Sequence, residues 1–442
     1  LGKIIKNKSK VIKKENDLIE SIDCDVCVVG AGSSGFAAAI EAARLGKKVV
    51  LVDSSPILGG QAINSVIGLF CGLYSRTKPN YLFTYGLVEE MLRDLHAENA
   101  LYFRDSGVTV SVAYDEQALL RWVETQVMKY DITAVTGASI TDVKVNDRRV
   151  ESIEFVSRYG RFKVDATGFV DASGDAALIY NAGLPCRVSD VGPIYGTQMI
   201  IVENVDFDCL PSESEIKSII KEKGPDFGLE RHDGIVFHFP TKDRLILNMT
   251  HILTPLNSVG ASMEGIVGKR RADRAYDFIR KQFPEAMKNS TIHAYGQIGI
   301  RQTRWIVGKK QLLAQEVRDG IKFEDSIART TWPIELHDTM ESYQWEPFDN
   351  EHVHYVPFGS MTPPDVDNLI AVGRCIDADL IALSSVRVMG PCMAMGMAAA
   401  HVFDLIGDGS VHDFDIKQLQ SRVSDNLNRK DSMFLKDVHK TY

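Results

Sequence analysis

Gly30, Gly32 and Gly35 stand in the order G-x-G-x-x-G directly after the apolar run 25–29, and Asp53 follows about twenty residues later. That arrangement is suited to holding a dinucleotide. Gly30 permits the tight turn, Gly32 lets the backbone approach a pyrophosphate, and Gly35 lets helix and strand pack closely. Ser33 and Ser34 open the helix, whose free N–H groups face the phosphates, and Asp53 accepts hydrogen bonds from the ribose. An acidic residue at this position favours an unphosphorylated ribose, as in FAD or NAD, over NADP.

Further candidates lie far along the chain. Arg301 and Arg304 are three residues apart and could fork around a carboxylate or phosphate, or bridge two domains. His352 and His354 alternate along an extended segment, 351–357, which places both on one strand face, and His354 or Tyr355 is a candidate proton acceptor. A metal centre needs more ligands than this pair supplies, so none is expected. Arg387, beside an apolar C-terminal helix, could compensate negative charge on a cofactor. Cys24 and Cys27 have CxxC spacing but sit in a strand, whereas a redox pair needs an exposed helix N-terminus. Cys71 could approach a cofactor ring, although a packed thiol is its ordinary role.

Positioning these groups requires an α/β fold. Strand 25–29, the glycine turn, a helix-forming run 36–44 stopped by Gly46, and a second buried strand 48–52 compose a βαβ unit. Segments 85–95 and 115–130 read as helices, the second with Leu119, Leu120, Val123 and Val127 at helical spacing, and the polar segment between them is expected to be mobile. Short β-branched runs at 132–135, 140–145, 150–156 and 162–164 predict a β-meander inserted in the nucleotide fold. Mixed signals from 188 to 345 include a charged amphipathic helix near 268–282, and 368–372 and 393–406 return to a buried strand and a helix. The expected division is a flexible basic leader 1–20, a discontinuous Rossmann-like domain 21–187 and 346–442, and a mixed α+β substrate domain 188–345. Gly390 and Pro391 open the last helix, whose positive dipole end can face an anion.

Composition bounds the partners. Acidic residues exceed basic ones, 59 to 50, giving a net charge of -9, so nucleic acid is not an expected partner. Seven irregularly spaced cysteines in 442 residues do not form a disulfide framework, which points to a reducing, cytoplasmic setting. The apolar stretch 388–400 is interrupted by Gly390, Pro391 and Gly396 and is too short to span a bilayer, so no membrane insertion is expected. The lysines at 3, 6, 8, 10, 13 and 14 flank no signal-peptide apolar run.

Longer motifs name a family. Ser54 to Gln61, with Gly59 and Gly60, resembles the FAD-binding extension of glutathione-reductase-like flavoproteins. Segment 165–168, leading into Asp171, Ala172, Ser173 and Gly174, resembles the paired segments that follow their β-meander. Segments 368–375, with Gly373 and Arg374, and 385–396, with Pro391, Cys392 and Met393, resemble the final flavin-contacting strand and helix. Gly299-Ile-Arg-Gln-Thr-Arg-Trp-Ile306 is similar to the "GIRETRRI" core motif of an FAD-dependent oxidoreductase family, whose "NLLVAGRCIS" motif resembles 368–377. Gln302, Trp305 and Asp377 depart from that pattern. The resemblance implies bound FAD, with Gly373 and Asp377, or alternatively Asp379, near the ribityl chain.

With no second glycine fingerprint for NAD(P)H, the resemblance implies that a small organic alcohol or amine passes a hydride to flavin N5. Oxygen, a quinone or a protein carrier would then reoxidise the flavin. Two alternatives stand beside this dehydrogenase or oxidase reading: a C=C reductase of fumarate-reductase type using Arg301, Arg304 and Arg387, and a flavin-bearing electron-transfer subunit. An oligomer is compatible with each.

Overall fold

The computed structural model describes residues 9–10, 13, 20–432 and 438–440, so most of the expected leader lies outside the described residues. The central sheet runs Thr133–Thr136, Val49–Asp53, Glu20–Val29, Gly160–Asp171, Arg149–Ser157, Ala138–Asn146. The first four strands are parallel, and the last two pair antiparallel as the predicted meander. Leu369–Ala371 adds in parallel to the end of Gly160–Asp171, so a C-terminal segment completes the sheet. The fold is α/β with a Rossmann-like core.

Side-chain alternation gives Val49–Asp53 and the end of Glu20–Val29 two buried faces. Val26, Val28, Val49 and Leu51 pack toward the helices, while Cys27, Val29, Val50 and Val52 join Phe155, Phe162 and Val164 in a second core. Helices Ser33–Arg44 and Met389–Ile406 cross so closely that a Cβ on Gly396 would lie 2.1 Å from the Ser34 carbonyl oxygen. By length and composition Met389–Ile406 could cross a membrane, yet 72% of it is buried within the fold. It is therefore a core helix.

Two segments differ from their predicted form. The polar stretch between helices Leu87–Ala97 and Glu116–Lys129 is a hairpin, Leu101–Asp105 with Val110–Tyr114, flanked by Leu69–Phe70 and Val438–Lys440. Pairing on both sides organises residues whose composition reads as loop. The predicted helix near 268–282 begins earlier, as Ser258–Gln282, because Gly260, Gly265 and Gly268 weaken the local helical signal without stopping the helix.

A second sheet, ordered Ile235–Phe239, Arg244–Asn248, Thr197–Glu203, Thr291–Gly299, is antiparallel throughout. Ile200, Val202 and Leu247 bury one face against helices Glu213–Phe227 and Ser258–Gln282. Its other face, with Met199, Ile201 and Ile246, meets Val66. Trp305, Leu312, Val317, Ile327 and Ile334 pack into the core of the first sheet rather than this one.

Candidate active site

Asp53 closes its strand with its carboxylate turned back on the glycine turn: Oδ2 accepts from the Ala31 N–H at 2.5 Å and Oδ1 from the Ser55 N–H at 2.6 Å. Burial raises its pKa, and those two hydrogen bonds oppose the rise. Helix Ser33–Arg44 begins at Gly32 with no side-chain cap and no acidic residue in its first turn, leaving its leading N–H groups for a ligand. The glycines divide the work. At Gly30, with φ +100°, a Cβ would lie 2.4 Å from the Ala172 carbonyl oxygen, so the packed chain itself excludes a side chain. At Gly32 a Cβ would meet only the Gly60 Cα, at 4.0 Å. The second position is open, which fits a pyrophosphate drawn against bare backbone.

A cavity of about 650 Å³ begins here, lined by Gly30, Gly32, Ser33, Ser34, Asp53, Ser54, Gly60 and Gln61. Ala172, Ser173 and Gly174 join from the next loop, and Arg374 and Cys392 from the C-terminal part. Among the described residues, buried Arg374 Nη1 has no protein partner, and Arg374 lines the cavity beside the glycine loop's end, as expected where a polar ligand completes the wall. The residues present thus fit an FAD.

Other expected contacts lie outside the cavity. Gly35 and Gly59 are packed against Gly30 and Ile63, and Gly373 backs onto the Ser34 hydroxyl. Asp171 is fully buried, accepting from the Ser173 N–H and Oγ–H at 3.1 and 2.6 Å and from the Ile179 N–H at 3.1 Å, so it fixes the loop that carries Ser173. Asp377 is spent on Arg187, at 2.9 and 3.2 Å, and on the Gly308 N–H at 2.8 Å. Asp379 caps helix Leu380–Val386 and accepts from the Ala314 N–H at 2.6 Å. Pro391 and Met393 face the core, leaving Val388, Met389 and Cys392 to present the start of their helix.

The two arginines of the core motif separate. Residues 300–304 form a loop between strands Thr291–Gly299 and Trp305–Ile306. Arg301 enters the cavity, 7% exposed, with Nη1 donating to the Tyr195 carbonyl at 2.8 Å. Arg304 turns away, 4.0 Å over the Tyr180 ring, and donates to the Asp175 carbonyl. His354 and Tyr355 do not reach the cavity either. His354 is held between His352, at 3.1 Å, and the Ser385 hydroxyl, at 2.8 Å, and its burial drives its pKa well down. Tyr355 lies under the Lys322 ammonium. The cysteines stay neutral thiols: burial pushes Cys24 and Cys392 up to about 12, and Cys27 and Cys71 also rise. Among the described residues no group of three or more His, Cys, Asp or Glu is placed to hold a metal ion.

Beyond the glycine loop, the wall includes Lys217, Asn248, Trp332, Glu335, Tyr343, Trp345 and Arg387, of which only Arg387 is singled out by its sequence setting. Glu335 heads a buried chain. Its Oε2 accepts from Trp332 Nε1–H at 3.0 Å, and its Oε1 is 2.8 Å from His337 Nε2. His337 Nδ1 is 2.8 Å from His251 Nε2, whose Nδ1 is 2.9 Å from the Met340 carbonyl oxygen. A carbonyl only accepts, so His251 Nδ1 donates to it, and His337 Nδ1 donates to the His251 Nε2 that this leaves unprotonated. Burial, then the charges of Arg231 and Arg301, pushes the pKa of His251 far down; burial and then Arg301, Arg231 and Arg387 do the same to His337. Glu335 lies in strand Ile334–Leu336 and His337 follows just after it, and their i, i+2 spacing is the one sequence signal that marks them.

Comparison with known proteins agrees with this construction. A 42-residue stretch, 10% of the chain and 8% of its relative, is 55% identical to dihydrolipoyl dehydrogenase of Manduca sexta, and 45 residues are 49% identical to the mitochondrial enzyme of Bos taurus, over 10% and 9% of the two chains. The chain thus spans under a tenth of those enzymes, a likeness confined to one short segment. A geranylgeranyl bacteriochlorophyll reductase-like protein from Thermoplasma acidophilum superposes with a TM-score of 0.50 at 15% identity, over 92% of this chain and 83% of that one, which shows the fold. The pattern of the FAD dependent oxidoreductase family matches residues 25–423, so the chain, with its glycine loop opening onto a cavity of about 650 Å³, belongs to that family of FAD-using enzymes.

Proposed function

We propose that the protein oxidises a small organic alcohol or amine. The observation that carries this reading is the continuity of the cavity, from the Gly32 backbone to a wall bearing Arg301, Glu335 and Trp332. When bound, FAD supplies an acceptor for a hydride equivalent at its N5. The chain supplies placement and proton handling. The N–H groups at Ser33 and Ser34 hold the pyrophosphate, Asp53 the ribose, and Trp332, Tyr343 and Trp345 shape a wall that excludes water from the donor carbon. Glu335 Oε2 keeps a lone pair beyond its Trp332 hydrogen bond and receives the proton released from the hydroxyl or amine. An external acceptor, whether oxygen, a quinone or a protein carrier, takes the electrons onward.

The guanidiniums of Arg301 and Arg387 on the same wall favour a second reading, reduction of an activated C=C bond with a proton delivered from this wall. One experiment separates the two. Anaerobic holoenzyme is mixed with alcohols, amines and hydroxy acids while its absorbance is followed. Bleaching of the flavin by one of them supports oxidation; a chemically reduced enzyme that is reoxidised by an unsaturated compound, with no bleaching by any donor, overturns it.

A further inference from the structure

The charges around Glu335 do not balance. Arg301 and Arg387 line the cavity, and among the described residues neither makes an ion pair: each donates one hydrogen bond to a backbone carbonyl, Tyr195 and Glu335 respectively. Arg387 Nε is buried with no partner at all. Behind the wall a third guanidinium, the fully buried Arg231, is compensated by Asp233 at 2.8 Å. Lys217, whose pKa burial lowers, stands 5.8 Å over the Tyr343 ring and lines the same space. The carboxylate beside the two arginines, Glu335, is engaged by Trp332 Nε1–H and His337, and among the described residues it makes no ion pair with either arginine. Burial lowers the pKa of both arginines, the charges of Arg231 and Arg387 add to this at Arg301, and Glu335 opposes it at each, so two cavity-facing guanidiniums share one carboxylate. Buried cations persist where an anion completes them.

We propose that this part of the cavity is a carboxylate site: Arg301 and Arg387 hold a small organic acid by its carboxylate, presenting its hydroxyl or amine to Glu335. The proposal rests on the reading of the cavity as the place where the donor is oxidised, and narrows that donor to 2-hydroxy or 2-amino acids and their close relatives. A guanidinium fork meets a carboxylate with two parallel hydrogen bonds, a match an amide or an alcohol cannot make. The free Arg387 Nε gains its acceptor in that arrangement.

The test uses flavin-loaded enzyme and two readouts, calorimetric binding and perturbation of the flavin absorbance, with glycolate, malate and alanine as probes against glycolamide and ethylene glycol. Wild-type enzyme is expected to bind the acids about 10- to 100-fold more tightly than the uncharged compounds, the range that charge-assisted hydrogen bonds support. Arg387→Gln and Arg301→Lys, compared at equal flavin content, should lose most of that preference; because the wild-type comparison needs no variant, a misfolded Arg301→Lys leaves the test intact. Less than twofold discrimination by wild type, or an undiminished preference in Arg387→Gln, overturns the site. Acids that bind tightly but never bleach the flavin keep the carboxylate site and overturn the oxidative reading instead.

Discussion

A Cβ at Gly32 meets only the Gly60 Cα at 4.0 Å, so Gly32→Val is expected to fold with nearly unchanged urea resistance and to purify without flavin. Absorbance at matched protein concentration checks this; full flavin occupancy in the variant would place the pyrophosphate elsewhere. His238 yields a second prediction at this scale. Burial, and then Arg104, lowers its pKa from 6.5 to about 4, so between those values the unfolded chain binds a proton that the folded chain refuses. Stability contributed by neutral His238 is complete above pH 6.5 and falls as the pH drops toward about 4. His238→Asn should flatten the pH profile of the urea midpoint in that window by up to about one proton, and superimposable profiles would refute the assignment. Single residues were unevenly legible. Gly30, Gly32 and Asp53 could be read because strand, turn and helix are contiguous, so local spacing encodes the site. Glu335, Tyr343 and Lys217 could not, because they converge on the cavity from separate segments.

Elements carry the next level. Helices Ser33–Arg44 and Met389–Ile406 touch through Gly396, where any Cβ would run into the Ser34 carbonyl. Gly396→Val must push the two helices apart, at a cost of about 1–3 kcal/mol for an overpacked core. Since Ser34 also lines the cofactor end of the cavity, that variant should hold FAD more weakly as well as unfold earlier, which denaturation and flavin release would report together. A drop in stability with unaltered flavin affinity would show that the loop does not follow the helix. The meander was legible from its β-branched runs, whereas hairpin 101–114 was not, because its partners Leu69–Phe70 and Val438–Lys440 are remote in sequence. The alternation at 351–357 announced a strand correctly from His354 onward, but not that this strand faces the core rather than the cavity.

At the scale of the whole molecule, the cavity gathers walls from both sheets and from the C-terminal helix, so its ligand ties together parts distant in sequence. A ligand that binds only the assembled form stabilises it by mass action, by about 2.7 kcal/mol at a hundredfold excess over Kd. Adding FAD to the stripped protein should therefore raise the melting temperature progressively, and should leave Gly32→Val unmoved. A melting temperature indifferent to FAD would mean that the folded chain does not bind it.

The chain from Glu335 through His337 to His251 ends on the Met340 carbonyl, which can take a hydrogen bond but pass nothing on. It is a wire with a single terminal, and that terminal opens into the cavity. A substrate that fills the space covers that terminal, so the imidazole N–H protons of the chain should exchange with water more slowly in the complex than in the free enzyme.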